Sequence, residues 1–196
     1  MKQVEYIDRK TGARVVESVM GDKALRFAYE TLLGRTLWSV LFGSRAVSAW
    51  MGRRFDAPRS KRDIAALTSI PGCRWEEAEK PLADYASFND FFTRRLKPGS
   101  RPVGEGLVSP ADGRLLLYLD ADADTPFPLK GATRTLRTVF DGAAPAGRYD
   151  VAVIRLAPVD YHRFHFPCAC TTDGPVRVVP GKYHSVNPIA LVRCPD

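Results

Sequence analysis

The sequence predicts an α+β fold, with helices in its first half and a mainly antiparallel β body after them. Three observations carry that expectation. Apolar residues recur at helical spacing as far as about Leu96, then give way to extended runs punctuated by Gly, Pro and Asp. The helix-opening residues Asp22, Ser60 and Ser87 all precede Pro98, and no alternation of strand and helix follows, so a βαβ architecture is not expected. The chain has 196 residues, 45% hydrophobic and 26% charged, which is enough apolar bulk for a real core and excludes a wholly disordered chain.

Taken in order, Asp22 caps an amphipathic helix through Leu25, Phe27, Ala28, Leu32 and Leu33, and Gly34 ends or bends it. A second helix is expected from about residue 35 to 54, carrying Leu37, Trp38, Val40, Leu41, Phe42, Val47, Trp50 and Met51. Arg35, Arg45, Arg53 and Arg54 interrupt it. Its longest uncharged run, residues 36–44, is far short of the ~20 that span a bilayer. Two readings stay open: a hairpin lying in a membrane interface with its guanidiniums at lipid phosphates, or a hairpin packed on its own core. Charge favours an acidic partner here. Residues 1–63 hold 13 Lys and Arg against 7 Asp and Glu, whereas the other 133 residues are nearly balanced. The chain therefore divides into a basic, membrane-associating helical region (1–63) and a β-rich body (64–196).

Ser60 with Asp63 has the spacing of a capping box and predicts a short helix through about Leu67. Ser87 with Asp90 repeats it, for a helix carrying Phe88, Phe91, Phe92 and Leu96. Arg94, Arg95 and Lys97 would fill its last turn before Pro98 and Gly99 stop it. Strands are expected at 114–119, 149–156 and 176–179. The four cysteines (Cys73, Cys168, Cys170, Cys194) are too few and scattered for a disulfide scaffold, and no signal-peptide pattern opens the chain, so it reads as intracellular.

The chemistry concentrates in two places. All three histidines, His162, His165 and His184, fall within 23 residues. If the run 156–167 is extended, His162 shares a face with Phe164 and Phe166, and His165 shares the other with Arg163. The two imidazoles would then take separate roles in acid–base work, or be structural. A zinc site drawing on His162, His165, Cys168, Cys170 and His184 or Cys194 lacks a paired-ligand spacing, so no metal is expected. The second place is Ser109-Pro110-Ala111-Asp112-Gly113, a tight turn that fixes the Asp112 carboxylate. A carboxylate that orients an imidazole, which then deprotonates a hydroxyl, is the general triad arrangement, and here a nucleophile remains to be found.

Phe91-Phe92-Thr93-Arg94-Arg95-Leu96, Arg101-Pro102, the Ser109–Gly113 turn, Leu129-Lys130-Gly131, the run from Arg155 to His165 and Ser185-Val186-Asn187-Pro188 follow one another in an order that resembles phosphatidylserine decarboxylases. The opening Tyr6-Ile7-Asp8-Arg9-Lys10-Thr11-Gly12 resembles the longer bacterial branch. The resemblance implies removal of the carboxylate of phosphatidylserine to give phosphatidylethanolamine and CO2. The cofactor it implies is a covalent pyruvoyl group, made when a proenzyme cuts itself before an internal serine into a β and an α subunit. By motif, Asp112 and His165 match the residues that join that serine in self-cleavage, and His162 matches the histidine of the decarboxylation step.

No Gly-Ser-Thr motif occurs in this sequence, which ends at Arg193-Cys194-Pro195-Asp196. The expectation is therefore a β-chain portion, incomplete at its C-terminus, inactive alone and awaiting a C-terminal α subunit. It would sit peripherally on the cytoplasmic side of the cell membrane, facing phosphatidylserine and an anionic surface, with homo-oligomerisation left open. A non-catalytic membrane-associated fragment or paralogue is the alternative. A zinc hydrolase and a nucleic-acid binder are weaker readings, the latter because the aromatics fall on helical apolar positions instead of alternating with basic residues.

Overall fold

The computed structural model describes residues 5–16, 31, 45–129, 132–140, 142, 144, 146–171 and 174. The elements in order are β1 (Glu5–Ile7), β2 (Arg14–Val16), α1 (Arg45–Asp56), a 3-10 turn (Pro58–Asp63), α2 (Ile64–Thr68), α3 (Phe88–Phe92), β3 (Arg114–Ala121), β4 (Phe127–Leu129), β5 (Ala132–Arg134), α4 (Leu136–Val139) and β6 (Tyr149–Arg155). The helix expected after Asp22, the aromatic residues Trp38 and Phe42, the strand at 176–179, His184 and Cys194 lie outside the described residues. No described helix is long and apolar enough to cross a membrane.

The described residues form two compact units: those up to 31 with those of 114–155, and 45–113 with those from 156 onward. The first is antiparallel β; its β3–β6 pair falls on two of the expected strands, whereas β1–β2 lies in the stretch expected to be helical. β1 pairs with β2, β3 with β6, and β4 with β5. Asp8 builds the β1–β2 turn by accepting the N–H groups of Lys10 and Thr11. The β3–β6 ladder shifts register between Tyr118 and Ala121, where Asp120 takes φ 53° and Arg148 Nε donates to its carboxylate at 2.7 Å. The short pair β4–β5 was not legible in the sequence.

The second unit is helical and holds the aromatic core. Leu67 and Phe91 are fully buried among Ile64, Cys73, Tyr85, Phe88, Ala157 and Val159. The Tyr85 and Phe91 rings meet edge to face at 5.3 Å, and Phe55 at the end of α1 packs on Phe88 at 5.1 Å. Two expectations are corrected here. Ser60 caps no helix: it is buried in the 3-10 turn, where its hydroxyl donates to the Phe55 and Ala57 carbonyls and accepts the Phe88 N–H at 2.9 Å, pinning α1 to α3. Ser87 does cap α3, accepting the Asp90 N–H, but that helix stops at Phe92 instead of running to Lys97. The backbone beyond it pairs with 77–79, Lys97 N–H to the Glu77 carbonyl at 2.8 Å and Glu79 N–H to the Arg95 carbonyl at 2.9 Å. A tertiary ladder satisfies these groups better than one more turn of a Phe- and Arg-rich helix.

Candidate active site

The Asp112 turn and the histidine run both belong to the second unit and are stitched by backbone bonds. Val108 N–H donates to the Pro167 carbonyl at 2.8 Å and His165 N–H to the Pro110 carbonyl at 2.9 Å. Ser109 closes the turn on the Ala111 carbonyl, and Gly113 leaves it at φ 149°.

Asp112 is held by arginines the sequence reading did not single out as functional. Arg101 grips it with Nε at 2.8 Å from Oδ1 and Nη2 at 2.6 Å from Oδ2, and Arg74 approaches Oδ2 at 3.4 Å. Glu77 closes the network, 2.8 Å from Arg101 and 3.2 Å from Arg74. Burial alone would raise the Asp112 pKa, but the hydrogen bonds and charge of Arg101, helped by Arg74 and Arg94, hold it below the usual carboxylate value. The carboxylate stays ionised throughout the neutral range.

The two histidines have different seats. His162 is half-buried, its ring 4.0 Å from that of Phe92, with Nδ1 2.9 Å from the Asp160 carbonyl. A carbonyl only accepts, so Nδ1 carries the proton and Nε2 keeps its lone pair. Burial pushes the pKa of His162 down, which keeps it neutral near pH 7. His165 is exposed, and its Nδ1 meets the Phe166 carbonyl at 2.8 Å, again leaving Nε2 as the basic nitrogen. Arg163 between them donates from Nε to the Thr93 carbonyl at 2.8 Å, so the run is anchored to the end of α3. The expected sharing of a face does not give shared burial, because Phe164 and Phe166 are 87% and 62% exposed.

The structure thus places Asp112 and His165 on adjoining segments, with their described side-chain hydrogen bonds running to Arg101 and Arg74 and to the Phe166 carbonyl, respectively. Cys168 and Cys170, weighed and set aside as zinc ligands in the sequence, are exposed, and no group of three or more His, Cys, Asp and Glu suited to a metal occurs among the described residues. Arg94 is the other residue missed. It is 3% exposed, a rare place for a cation, and its only sequence signal is its position directly after two phenylalanines and a threonine.

Within the second unit, then, a clamped carboxylate turn adjoins a run that carries two differently seated imidazoles. The family model for phosphatidylserine decarboxylase matches residues 88–194, which include Asp112, His162 and His165. Among curated relatives, phosphatidylserine decarboxylase proenzymes of Fusobacterium nucleatum and Desulfitobacterium hafniense are each 37% identical, over 97% and 96% of this chain and 65% of their own length. That of Chlamydia felis is 36% identical over 97% of this chain and 66% of its own. This chain belongs to the phosphatidylserine decarboxylase family, and it spans about 65% of the length of the first of these relatives.

Proposed function

We propose that this chain carries the acid–base residues of a phosphatidylserine decarboxylase, converting phosphatidylserine to phosphatidylethanolamine as the β-chain portion of a self-cleaving proenzyme. The observation that carries the reading is the pair of seats on the family-matched segment: a neutral half-buried His162 and an exposed His165, each with Nδ1 on a carbonyl and Nε2 available. The implied pyruvoyl group, made from a serine of the proenzyme, supplies when bound a carbonyl that captures the substrate amine and accepts the electron pair left as CO2 departs. The residues present fit such a group, since a neutral imidazole able to take up and return a proton stands where buried Arg94 adds positive charge.

His162 Nε2 takes up the proton that the substrate ammonium sheds as the amine is captured and returns it to the substrate carbon after CO2 leaves, a role worth roughly 10²–10⁴ in rate. His165 takes the hydroxyl proton of the cleavage-site serine. Asp112 orients it once the exposed imidazole exchanges the Phe166 carbonyl for the carboxylate, a side-chain rotation that costs little at a surface. Residues 1–63 bring this body to an anionic cytoplasmic leaflet; Trp50, 59% exposed on α1, is a described aromatic consistent with that reading. An α subunit is the expected protein partner.

The test is a full-length proenzyme supplied with carboxyl-labelled phosphatidylserine in vesicles. Labelled CO2 is expected, and His162→Ala should lower its release by about 100-fold. Release undiminished in His162→Ala would remove that histidine from the reaction, and no release from a correctly cleaved protein would favour the non-catalytic paralogue.

A further inference from the structure

A pocket of about 330 Å³ lies within the second unit, and Arg94 forms part of its wall. Nε and Nη1 of Arg94 are buried and have no hydrogen-bond partner among the described residues. A guanidinium cannot shed its charge, so a buried one with open donors calls for an anion. Its guanidinium lies over the face of Phe91, Cζ 4.9 Å from the ring centroid, and its charge is felt at Asp112, but neither fills the Nε and Nη1 donors. A second donor lines the same pocket: the buried hydroxyl of Tyr85 lies near the Lys80 backbone yet makes no full hydrogen bond among the described residues.

The charges around the pocket narrow the ligand. Lys80, Arg94, Arg95 and Arg163 face it against Glu79 and Asp90. The excess is positive, which suits a phosphate oxyanion, and the two carboxylates suit an amine carried on the same molecule. Arg163 is fixed by its bond to the Thr93 carbonyl, so at least part of the wall is organised in advance. The pocket also borders the His162 seat: His162 precedes Arg163 and packs on Phe92, and the charge of Arg94 is among the influences that oppose its protonation.

We propose that the Arg94 pocket is a subsite for a phosphate diester, the headgroup phosphate of the lipid substrate, with Arg94 as its principal ligand and Arg163 at its rim. The identity of the ligand rests on the decarboxylase reading; the existence of an oxyanion site does not. The phosphate could also be free phosphate, and the test separates these sources.

The full chain is titrated calorimetrically with glycerophosphoserine, inorganic phosphate and L-serine, beside Arg94→Met and Arg163→Gln. Glycerophosphoserine should bind the wild type more tightly than inorganic phosphate, and L-serine should not bind. Arg94→Met should stay folded, since an apolar chain of similar length replaces a buried cation whose Nε and Nη1 have no hydrogen-bond partner among the described residues, and should weaken binding roughly tenfold or more, with roughly threefold for Arg163→Gln. Equal affinity for inorganic phosphate would give the pocket to free phosphate and overturn the headgroup assignment. Unchanged affinity in both variants would overturn the site itself, as would an Arg94→Met chain that fails to fold, because the cation would then have a partner within the protein. Failure here leaves CO2 release by the full-length enzyme untouched. Conversely, Arg94-dependent binding in an enzyme that releases no CO2 would strike only the decarboxylase reading.

Discussion

The Asp112 turn and the histidine run lie against each other, yet they are held by opposite means. Asp112 is locked by charge, in a ring of two arginines and two carboxylates that includes Arg101, Arg74 and Glu77. The run at 160–166 is locked by backbone bonds and by the packing of His162 on Phe92, and the described hydrogen bonds of its imidazoles go to carbonyls. The difference teaches which part is rigid and which is free to act. A carboxylate gripped by two arginines is a fixed negative charge and a poor base, whereas each imidazole keeps one nitrogen open for proton transfer.

The largest effect expected from this contrast is on stability. Arg101→Leu leaves Asp112 and Glu77 with only the longer contacts to Arg74 and should cost about 2–3 kcal/mol, read by denaturant unfolding. Arg163→Ala, which removes only an exposed bond to the Thr93 carbonyl, should cost less than about 1 kcal/mol. Equal losses would erase the contrast. Next comes Ser60→Ala, which strands the buried Phe88 N–H and should cost about 1–2 kcal/mol. Ser87→Ala removes the α3 cap and should cost about 1 kcal/mol, so the order of these two serines tests whether Ser60 is a core pin or an ordinary cap.

The smallest effect sharpens the contrast by pH. The folded pKa of His162 is depressed by burial, so between its ordinary value of 6.5 and that lower value the unfolded chain binds the proton first and stability falls as pH drops. Asp112 is depressed too, mainly by Arg101 acting against burial. Its contribution is complete above the ordinary value of 3.8 and is lost only as pH falls through the lower folded value. Melting temperatures followed against pH should therefore lose their weakly acidic slope in His162→Gln and keep it in Arg101→Leu. A slope that survives His162→Gln would place the titrating group elsewhere.

Much of this was readable from residue patterns, and the failures share a cause. The strands at 114–121 and 149–155 announce themselves by β-branched and apolar runs, and Ser87 by its spacing to Asp90. Ser60 has the same local spacing to Asp63, but its role depends on Phe88, 28 residues away, and no local pattern reports that. The early end of α3 was hidden for the same reason, since its competitor is a ladder to 77–79. The site divides likewise. Asp112, His162 and His165 stood out as residue types in motifs, whereas Arg101, Arg74 and Glu77 acquire their meaning only from long-range proximity.

The central claim is that two histidines three positions apart serve two different reactions. It is tested most directly by expressing the full-length proenzyme as wild type, His165→Ala and His162→Ala and measuring intact masses of the products. The account predicts two subunits from the wild type and from His162→Ala, with only uncut proenzyme from His165→Ala, whose serine has lost its base. Two subunits from His165→Ala, or a folded but uncut His162→Ala, would contradict it.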